Sequence, residues 1–144
     1  MKAKFAAALL AGALSLSAGS ALAQGAGGDA AKGEAVFKKC QACHRVGPDA
    51  KNLVGPVLNG VVGRKAGTAE GYKYSDINHA ASEAGLIWTE DALFDYLADP
   101  SGYLKKYLTE KGAADKATGN SKMVYKLANE QERKDVIAFL ATKK

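Results

Sequence analysis

Apolar residues recur at three- and four-residue spacing in five separate stretches of this chain. Nowhere do they alternate convincingly with polar residues, as they would in a β-strand. Each stretch is short and lies between segments rich in glycine or polar residues. The pattern therefore predicts five short helices, over about residues 29–40, 75–85, 89–98, 99–110 and 129–140.

Residues that favour helix starts stand at the beginning of each stretch. Side chains that can accept hydrogen bonds from a first helical turn occur at Asp29, Ser75, Thr89 and Asn129. Pro100 occupies the first position of the fourth helix, where proline is tolerated because no N–H is needed there. Glu132, three residues after Asn129, completes a pattern resembling a capping box at the start of the last helix.

Two segments show no helical pattern. Residues 46–70 are rich in glycine and proline, which is loop composition, and residues 111–121 are small and polar. The chain has no internal repeat. It is therefore predicted to form a single all-α domain of about five short helices joined by glycine-rich loops.

The first residues are typical of a secretory signal. Lys2 and Lys4 precede an apolar stretch over residues 5–16, and residues 21–23 read Ala-Leu-Ala, a small-x-small cleavage site. We expect a signal peptide at 1–23, a domain at 24–144 and export to the periplasm. An uncleaved anchor is the alternative. Cleavage would lower the formal charge from +5 to +3 and leave a mildly basic chain of one domain's length.

The strongest chemical motif lies at residues 40–44, which read Cys-Gln-Ala-Cys-His and contain both cysteines of the chain. This spacing is the attachment pattern of a c-type haem: Cys40 and Cys43 form thioethers with the two vinyl groups, and His44 ligates the iron. Half a zinc site is an alternative, although only two histidines could complete it. A thioredoxin-like redox pair is another, although no strand–helix–strand pattern surrounds it.

A second iron ligand can also be assigned. Met123 lies in a polar loop between two predicted helices, where a methionine is less expected as core filler. The competing candidate is His79, which we expect to be exposed on a short polar helix. Ligation by His44 and Met123 leaves no open iron site, which favours electron transfer over catalysis. Burial of one haem would also supplement the thin apolar core of so small a domain.

These residues resemble the class I cytochromes c, in particular cytochrome c2 of the purple-bacterial type. The similarity covers essentially all of residues 24–144. Residues 55–67 match the family's Gly-Pro-x-Leu-x-Gly-x-x-Gly-Arg-x-x-Gly loop. Gly33 and Phe37 match a first-helix pair that packs against the last helix, here at Val136 and Phe139. The resemblance implies the small cytochrome c fold, wrapped around one covalently bound haem.

The resemblance also assigns roles to single residues. Pro56 is implied to accept a hydrogen bond from the far nitrogen of His44. Partners of a haem propionate are implied at Arg64, Tyr74 and Trp88. Residues on the methionine side are implied at Asn78 and Tyr96, and Tyr72 matches a nearby loop tyrosine of the family.

The chain departs from the family pattern at three places. The phenylalanine expected two positions after the methionine is Tyr125, and extra residues occur between Asn78 and Trp88. A longer insert lies between Tyr103 and Met123. The resemblance therefore assigns no role to residues 104–120.

The sequence as a whole predicts a periplasmic one-electron carrier that is not an enzyme. The resemblance suggests a bc1-type complex as donor and a photosynthetic reaction centre or terminal oxidase as acceptor, both contacted through a basic face. Candidates for that face are Lys38, Lys39, Lys65, Lys105, Lys106, Lys122 and Lys126. We expect a monomer that binds no nucleic acid and, after signal cleavage, does not insert stably into membranes. A haem enzyme or gas sensor, and an electron-accepting subunit dedicated to one dehydrogenase, are the alternatives.

Overall fold

A computed structural model describes residues 27–144. The predicted signal peptide lies outside the described residues. The helices are α1 (Ala30–Phe37), α2 (Asp76–Glu83), α3 (Glu90–Ala98), α4 (Pro100–Glu110) and α5 (Glu130–Ala141), and a 3₁₀ turn spans Ala114–Lys116. The five-helix prediction is confirmed. Within the described part, the only strand-like pairing is an isolated bridge between Lys65 and Ile87.

Side chains cap four of the five helices. The caps of α1, α3, α4 and α5 accept hydrogen bonds from their first turns, at Asp29, Thr89, Asp99 and Asn129. Ser75 instead donates its hydroxyl to Asn78 Oδ1, at 3.3 Å, and leaves the first turn of α2 without a side-chain cap. The capping box of α5 is half formed, because the Glu132 carboxylate turns to Lys39 Nζ, 2.6 Å away.

Helices α1 and α5 cross at very short distance and close the fold. A Cβ at Gly33 would lie 1.9 Å from the carbonyl oxygen of Asp135 and 2.8 Å from the Cβ of Phe139. Glycine is therefore required there, because any side chain would push the two helices apart. Phe37 and Phe139 pack beside the crossing with their ring centroids 5.3 Å apart. The predicted packing of these residues against α5 is confirmed.

A buried carboxylate fixes the same crossing. Asp135 accepts hydrogen bonds from the backbone N–H of Asp29, at 2.8 Å, and from Gln131 Nε2, at 2.9 Å. Burial alone would raise the pKa of Asp135, but these two hydrogen bonds hold it below its ordinary value. The carboxylate therefore stays ionised and links the start of α1 to α5.

The rest of the core lies between the helices and the glycine-rich loop. Fully buried side chains come from several elements, including Ile77, Leu86, Leu104, Leu108 and Val136. No helix within residues 27–144 is both long enough and apolar enough to cross a membrane.

Candidate haem-binding site

The Cys-x-x-Cys-His segment continues directly from α1 as a series of hydrogen-bonded turns. The N–H of Cys40 donates to Phe37 O at 2.8 Å, and the N–H groups of Cys43 and His44 both donate to Cys40 O, at 3.1 and 2.9 Å. Residues three and four positions apart share one side of such a turn. The two half-buried cysteine side chains and the His44 ring are thereby presented together.

The His44 ring is fixed by one hydrogen bond and one close packing contact. Its Nδ1 donates to the carbonyl oxygen of Pro56 at 2.8 Å, as the family resemblance implied. Because a carbonyl can only accept, the proton must sit on Nδ1, and Nε2 keeps its lone pair for a metal. A Cβ at Gly55 would lie 2.4 Å from Cε1 of the ring, so the glycine allows the ring to lie against the backbone.

The electrostatics of His44 also suit a ligand. Burial lowers the pKa of the imidazole and the positive charge of Arg64 lowers it further, while the hydrogen bond to Pro56 opposes both. The ring is therefore neutral near pH 7, which is the form that binds a metal. Burial likewise raises the pKa of the Cys40 thiol, and the positive charge of Lys39 offsets part of that rise.

Arg64 provides the test of whether these residues fit a haem. Its two terminal nitrogens donate to the carbonyls of Asn59, at 3.0 Å, and Val57, at 3.1 Å, but its buried Nε has no hydrogen-bond partner. Burial lowers the pKa of this guanidinium, and no carboxylate of the described chain offsets that effect. A partly buried cation whose buried Nε has a free N–H fits an anionic group such as a haem propionate.

The methionine side is organised by a hydroxyl two residues before Met123. The Oγ of Ser121 lies 3.0 Å from the hydroxyl of Tyr96 and accepts the N–H of Met123 at 3.2 Å. The N–H of Ser121 donates in turn to the Oγ of Ser101, on α4, at 3.0 Å. Met123 itself is half-buried and packs against the hydrophobic core. The loop is thus tied to both α3 and α4 beside the methionine.

The far end of the methionine loop is tied to α5. One terminal nitrogen of Arg133 donates to the carbonyls of Leu127 and Ala128, both at 2.8 Å. The guanidinium lies 4.3 Å from the ring centroid of Phe94, a favourable cation–π distance. The N–H of Leu127 donates to Leu97 O at 2.8 Å. The loop is therefore fixed at both ends.

The other predicted site residues differ in their burial and in their contacts. Trp88 is buried, with its ring centroid 4.6 Å from that of Tyr96. Asn78 is also buried, on α2. The hydroxyl of Tyr74 accepts the N–H of Ala69 at 3.1 Å. His79 is exposed, as expected, and its ring centroid lies 6.2 Å from that of Tyr74. Its surface position does not favour it as an iron ligand.

The insert before Met123 forms the end of α4 and a short turn. Helix α4 extends to Glu110, and a 3₁₀ turn then carries the chain back toward residue 121. Lys116 Nζ, in that turn, lies 3.3 Å from a carboxylate oxygen of Glu83 on α2. The extra residues in the two inserts thus meet each other at the surface.

Sequence reasoning missed three residues that organise the site: Ser101, Ser121 and Arg133. A hydroxyl residue two positions before a candidate methionine ligand is a signal that could have indicated Ser121. Ser101 and Arg133 act on segments distant in sequence, and nothing in the local pattern indicates them.

These features define a small c-type cytochrome: Cys40, Cys43 and His44 are presented together, the methionine loop is held at both ends, and the partly buried Arg64 keeps an Nε without a partner. Comparisons with known proteins agree. The cytochrome c family model matches residues 30–144. Cytochrome c2 from Rhodopseudomonas palustris is 66% identical over 116 residues, which cover 81% of this chain and 99% of the relative. Cytochrome c2 iso-1 from Rhodospirillum centenum is 64% identical over 115 residues, covering 80% and 96%.

Solved structures give the same result. Cytochrome c2 from Rhodospirillum centenum matches with a TM-score of 0.80 and 64% identity, over 81% of this chain and 98% of that one. Ferricytochrome c2 from Rhodopseudomonas palustris matches with a TM-score of 0.77 and 65% identity, over 81% and 99%. The chain therefore belongs to the cytochrome c family, and within it to the class I cytochromes c2. It binds haem c covalently through Cys40 and Cys43 and is an electron-transfer protein, not an enzyme.

Proposed function

We propose that this protein is a soluble periplasmic one-electron carrier with His44 and Met123 as the axial ligands of its haem iron. It takes electrons from a bc1-type complex and delivers them to a photosynthetic reaction centre or a terminal oxidase. The relatives named cytochrome c2 support the carrier role. The tautomer imposed on His44 by Pro56, and the loop ties on either side of Met123, support the ligand set.

The haem, when bound, supplies an iron that alternates between ferrous and ferric states. The residues of the chain hold the ligands in place for both states. Pro56 keeps the proton on Nδ1 of His44, and Ser121 fixes the backbone N–H of Met123. Rigid placement matters because a carrier must gain and lose an electron without rearranging its ligands.

We propose that partner proteins dock on the two loops beside the ligands. The observation that supports this is a set of exposed apolar side chains in those loops. Val54, just before Gly55 and Pro56, is 74% exposed, and Val124, just after Met123, is 85% exposed. Leu53 and Tyr125, next to them, are also exposed. Exposed apolar groups at a redox site suit brief contact with a partner, because such contact needs little desolvation of charge.

Charge would steer that contact, although several of the predicted lysines are engaged within the chain. Lys39 lies 2.6 Å from Glu132, and Lys126 lies 3.1 Å from Asp99. Lys122 donates to a backbone carbonyl. Lys38 is exposed, lies two residues before Cys40 and has no ion pair within residues 27–144. It is therefore a better candidate for attracting an acidic partner.

The ligand set is tested by replacing Met123 with alanine in the holoprotein. Haem should stay attached, because the thioethers do not depend on Met123. The near-infrared methionine-to-iron charge-transfer band should vanish, and the reduction potential should fall because a harder ligand favours ferric iron. His79→Ala is the control and should keep both. A Met123→Ala protein with the native band and potential would overturn the assignment.

The carrier role is tested with isolated membrane complexes. Reduced holoprotein should be oxidised by a reaction centre or oxidase preparation, and oxidised holoprotein should be reduced by a bc1-type complex. A protein with a normal band and potential that exchanges electrons with none of them, yet forms a stable complex with a dehydrogenase, would refute the shuttle role while leaving the ligand set intact.

A further inference from the structure

Tyr72 contacts both of the loops that flank the candidate iron ligands. Its hydroxyl donates to the carbonyl oxygen of Val54 at 2.7 Å. Its ring faces Lys122, whose Nζ lies 5.6 Å from the ring centroid. Val54 precedes Gly55 and Pro56 on the histidine side, and Lys122 precedes Met123 on the other. One side chain thus touches the loop of each ligand.

A second contact ties Lys122 to the same segment. Its ammonium donates to the carbonyl oxygen of Lys73, the residue after Tyr72. The Tyr72 ring is itself held by Tyr74, in an edge-to-face arrangement with centroids 4.8 Å apart and an interplanar angle of 77°. Such pairs are favourable, and this one fixes the direction of the Tyr72 hydroxyl.

The two ligand loops are not hydrogen-bonded to each other in the described part of the chain. Within residues 27–144, no hydrogen bond joins residues 53–57 to residues 121–125. Val54 and Lys122 are both exposed, so neither loop is held here by burial. The polar link between the loops at this surface therefore runs through Tyr72 and its neighbour Lys73.

We propose that Tyr72 is a positioning residue that couples the histidine-side loop to the methionine loop. The inference rests on the proposed ligation by His44 and Met123. When Met123 moves away from the iron, Lys122 leaves the Tyr72 ring and the Lys73 carbonyl. Tyr72 in turn holds the backbone two residues before Pro56. Loosening either contact makes displacement of the methionine easier, without any contact between Tyr72 and iron.

The experiment measures how readily an external ligand displaces the methionine. Imidazole is added to the ferric holoprotein at neutral pH, and its Kd is read from loss of the methionine-to-iron band. Tyr72→Phe removes the hydroxyl and keeps the ring, so imidazole should bind about fivefold more tightly, the change that a hydrogen bond of ordinary strength gives. Tyr72→Leu also removes the ring and should bind imidazole more tightly still.

Tyr107→Phe is the matched control. The Tyr107 hydroxyl also donates to a backbone carbonyl, that of Ala84, at 3.2 Å, but it joins α4 to α2 and touches neither ligand loop. Tyr107→Phe should lose about as much stability against urea as Tyr72→Phe does, and it should keep the wild-type Kd for imidazole. Equal Kd values for Tyr72→Phe and wild type, or an equal increase in affinity in Tyr107→Phe, would overturn the proposal.

Hydrogen exchange tests the coupling itself. The N–H of Gly55 donates to Cys43 O at 2.9 Å, and that of Met123 donates to Ser121 Oγ at 3.2 Å. Both amides should exchange faster in Tyr72→Phe. Acceleration on one side only would overturn the coupling. A wild-type holoprotein without the methionine-to-iron band would instead refute the proposed ligand set, so the two failures are distinguishable.

Discussion

Replacement of Gly55 by alanine should perturb the candidate ligand His44, although alanine can adopt the backbone conformation at this position. Gly55 is not among the glycines with positive φ, so alanine can adopt its conformation. The added Cβ, however, would lie 2.4 Å from Cε1 and 2.7 Å from Nδ1 of His44. Ordinary carbon contacts need at least about 3.5 Å. The ring or the backbone of Gly55 and Pro56 must therefore shift by about 1 Å.

That shift is enough to remove the hydrogen bond between His44 Nδ1 and Pro56 O, now 2.8 Å long. Such a bond contributes about 1 kcal/mol. The bond makes the imidazole a stronger donor, which favours ferric iron, so its loss should raise the reduction potential. A free energy of about 1.4 kcal/mol corresponds to a tenfold change in an equilibrium constant, and for one electron that corresponds to about 59 mV. Loss of about 1 kcal/mol should therefore raise the potential by about 40 mV at most.

The assay is a redox titration of purified holoprotein, with haem content measured in parallel. Val54→Ala is the control, since it truncates the exposed neighbouring side chain and leaves the contact with the ring unchanged. It should keep the native potential. A Gly55→Ala protein with full haem content and an unchanged or lower potential would refute the reasoning, because the contact would then have relaxed without cost to the histidine.

Three further predictions follow from the same contacts. Pro56→Ala keeps the carbonyl but frees its φ angle, so the protein should lose its methionine-to-iron band at lower pH with little change in haem content; a wild-type midpoint would contradict this. Asp135→Asn should lower the free energy of unfolding in urea by about 1–2 kcal/mol at pH 7. Because the pKa of Asp135 is held low, this difference should shrink below about pH 4; a pH-independent difference would count against an ionised carboxylate. Lys38→Glu should slow electron transfer with an acidic partner more than Lys144→Glu, and the gap should narrow as salt shortens the Debye length from about 30 Å at 0.01 M to about 8 Å at 0.15 M. Equal slowing would indicate a general charge effect.

The sequence was most informative about the helices, because their signals are local. Helical spacing and the capping residues predicted all five, with ends close to those observed. The errors fell where a side chain had a choice of partner. Glu132 prefers Lys39, on another element, to the start of its own helix, and Ser75 prefers the side chain of Asn78. Such choices depend on which elements meet in space.

The candidate site likewise contains residues that local sequence predicts and contacts that it does not. Cys40, Cys43 and His44 are close in sequence, and their chemistry requires that spacing, so they could be predicted. The contact of Pro56 with His44 came from family resemblance, not from pattern. The bond from Arg133 to Leu127, and that from Ser121 to Ser101, join loops to distant helices. No periodicity or local propensity encodes these contacts.

The crossing of α1 and α5 also has a consequence for the order of assembly. The hydrogen bond from Asp29 N–H to Asp135 at this crossing joins residues 106 positions apart, so closing it has a high loop-closure cost and waits for the final helix. The Cys-x-x-Cys-His segment, in contrast, is complete within a few residues of α1. A cofactor can therefore be attached to an open chain before the two ends meet. Once attached, the cofactor places apolar surface next to residues 40–44. This raises the effective concentration of the groups against which α5 packs.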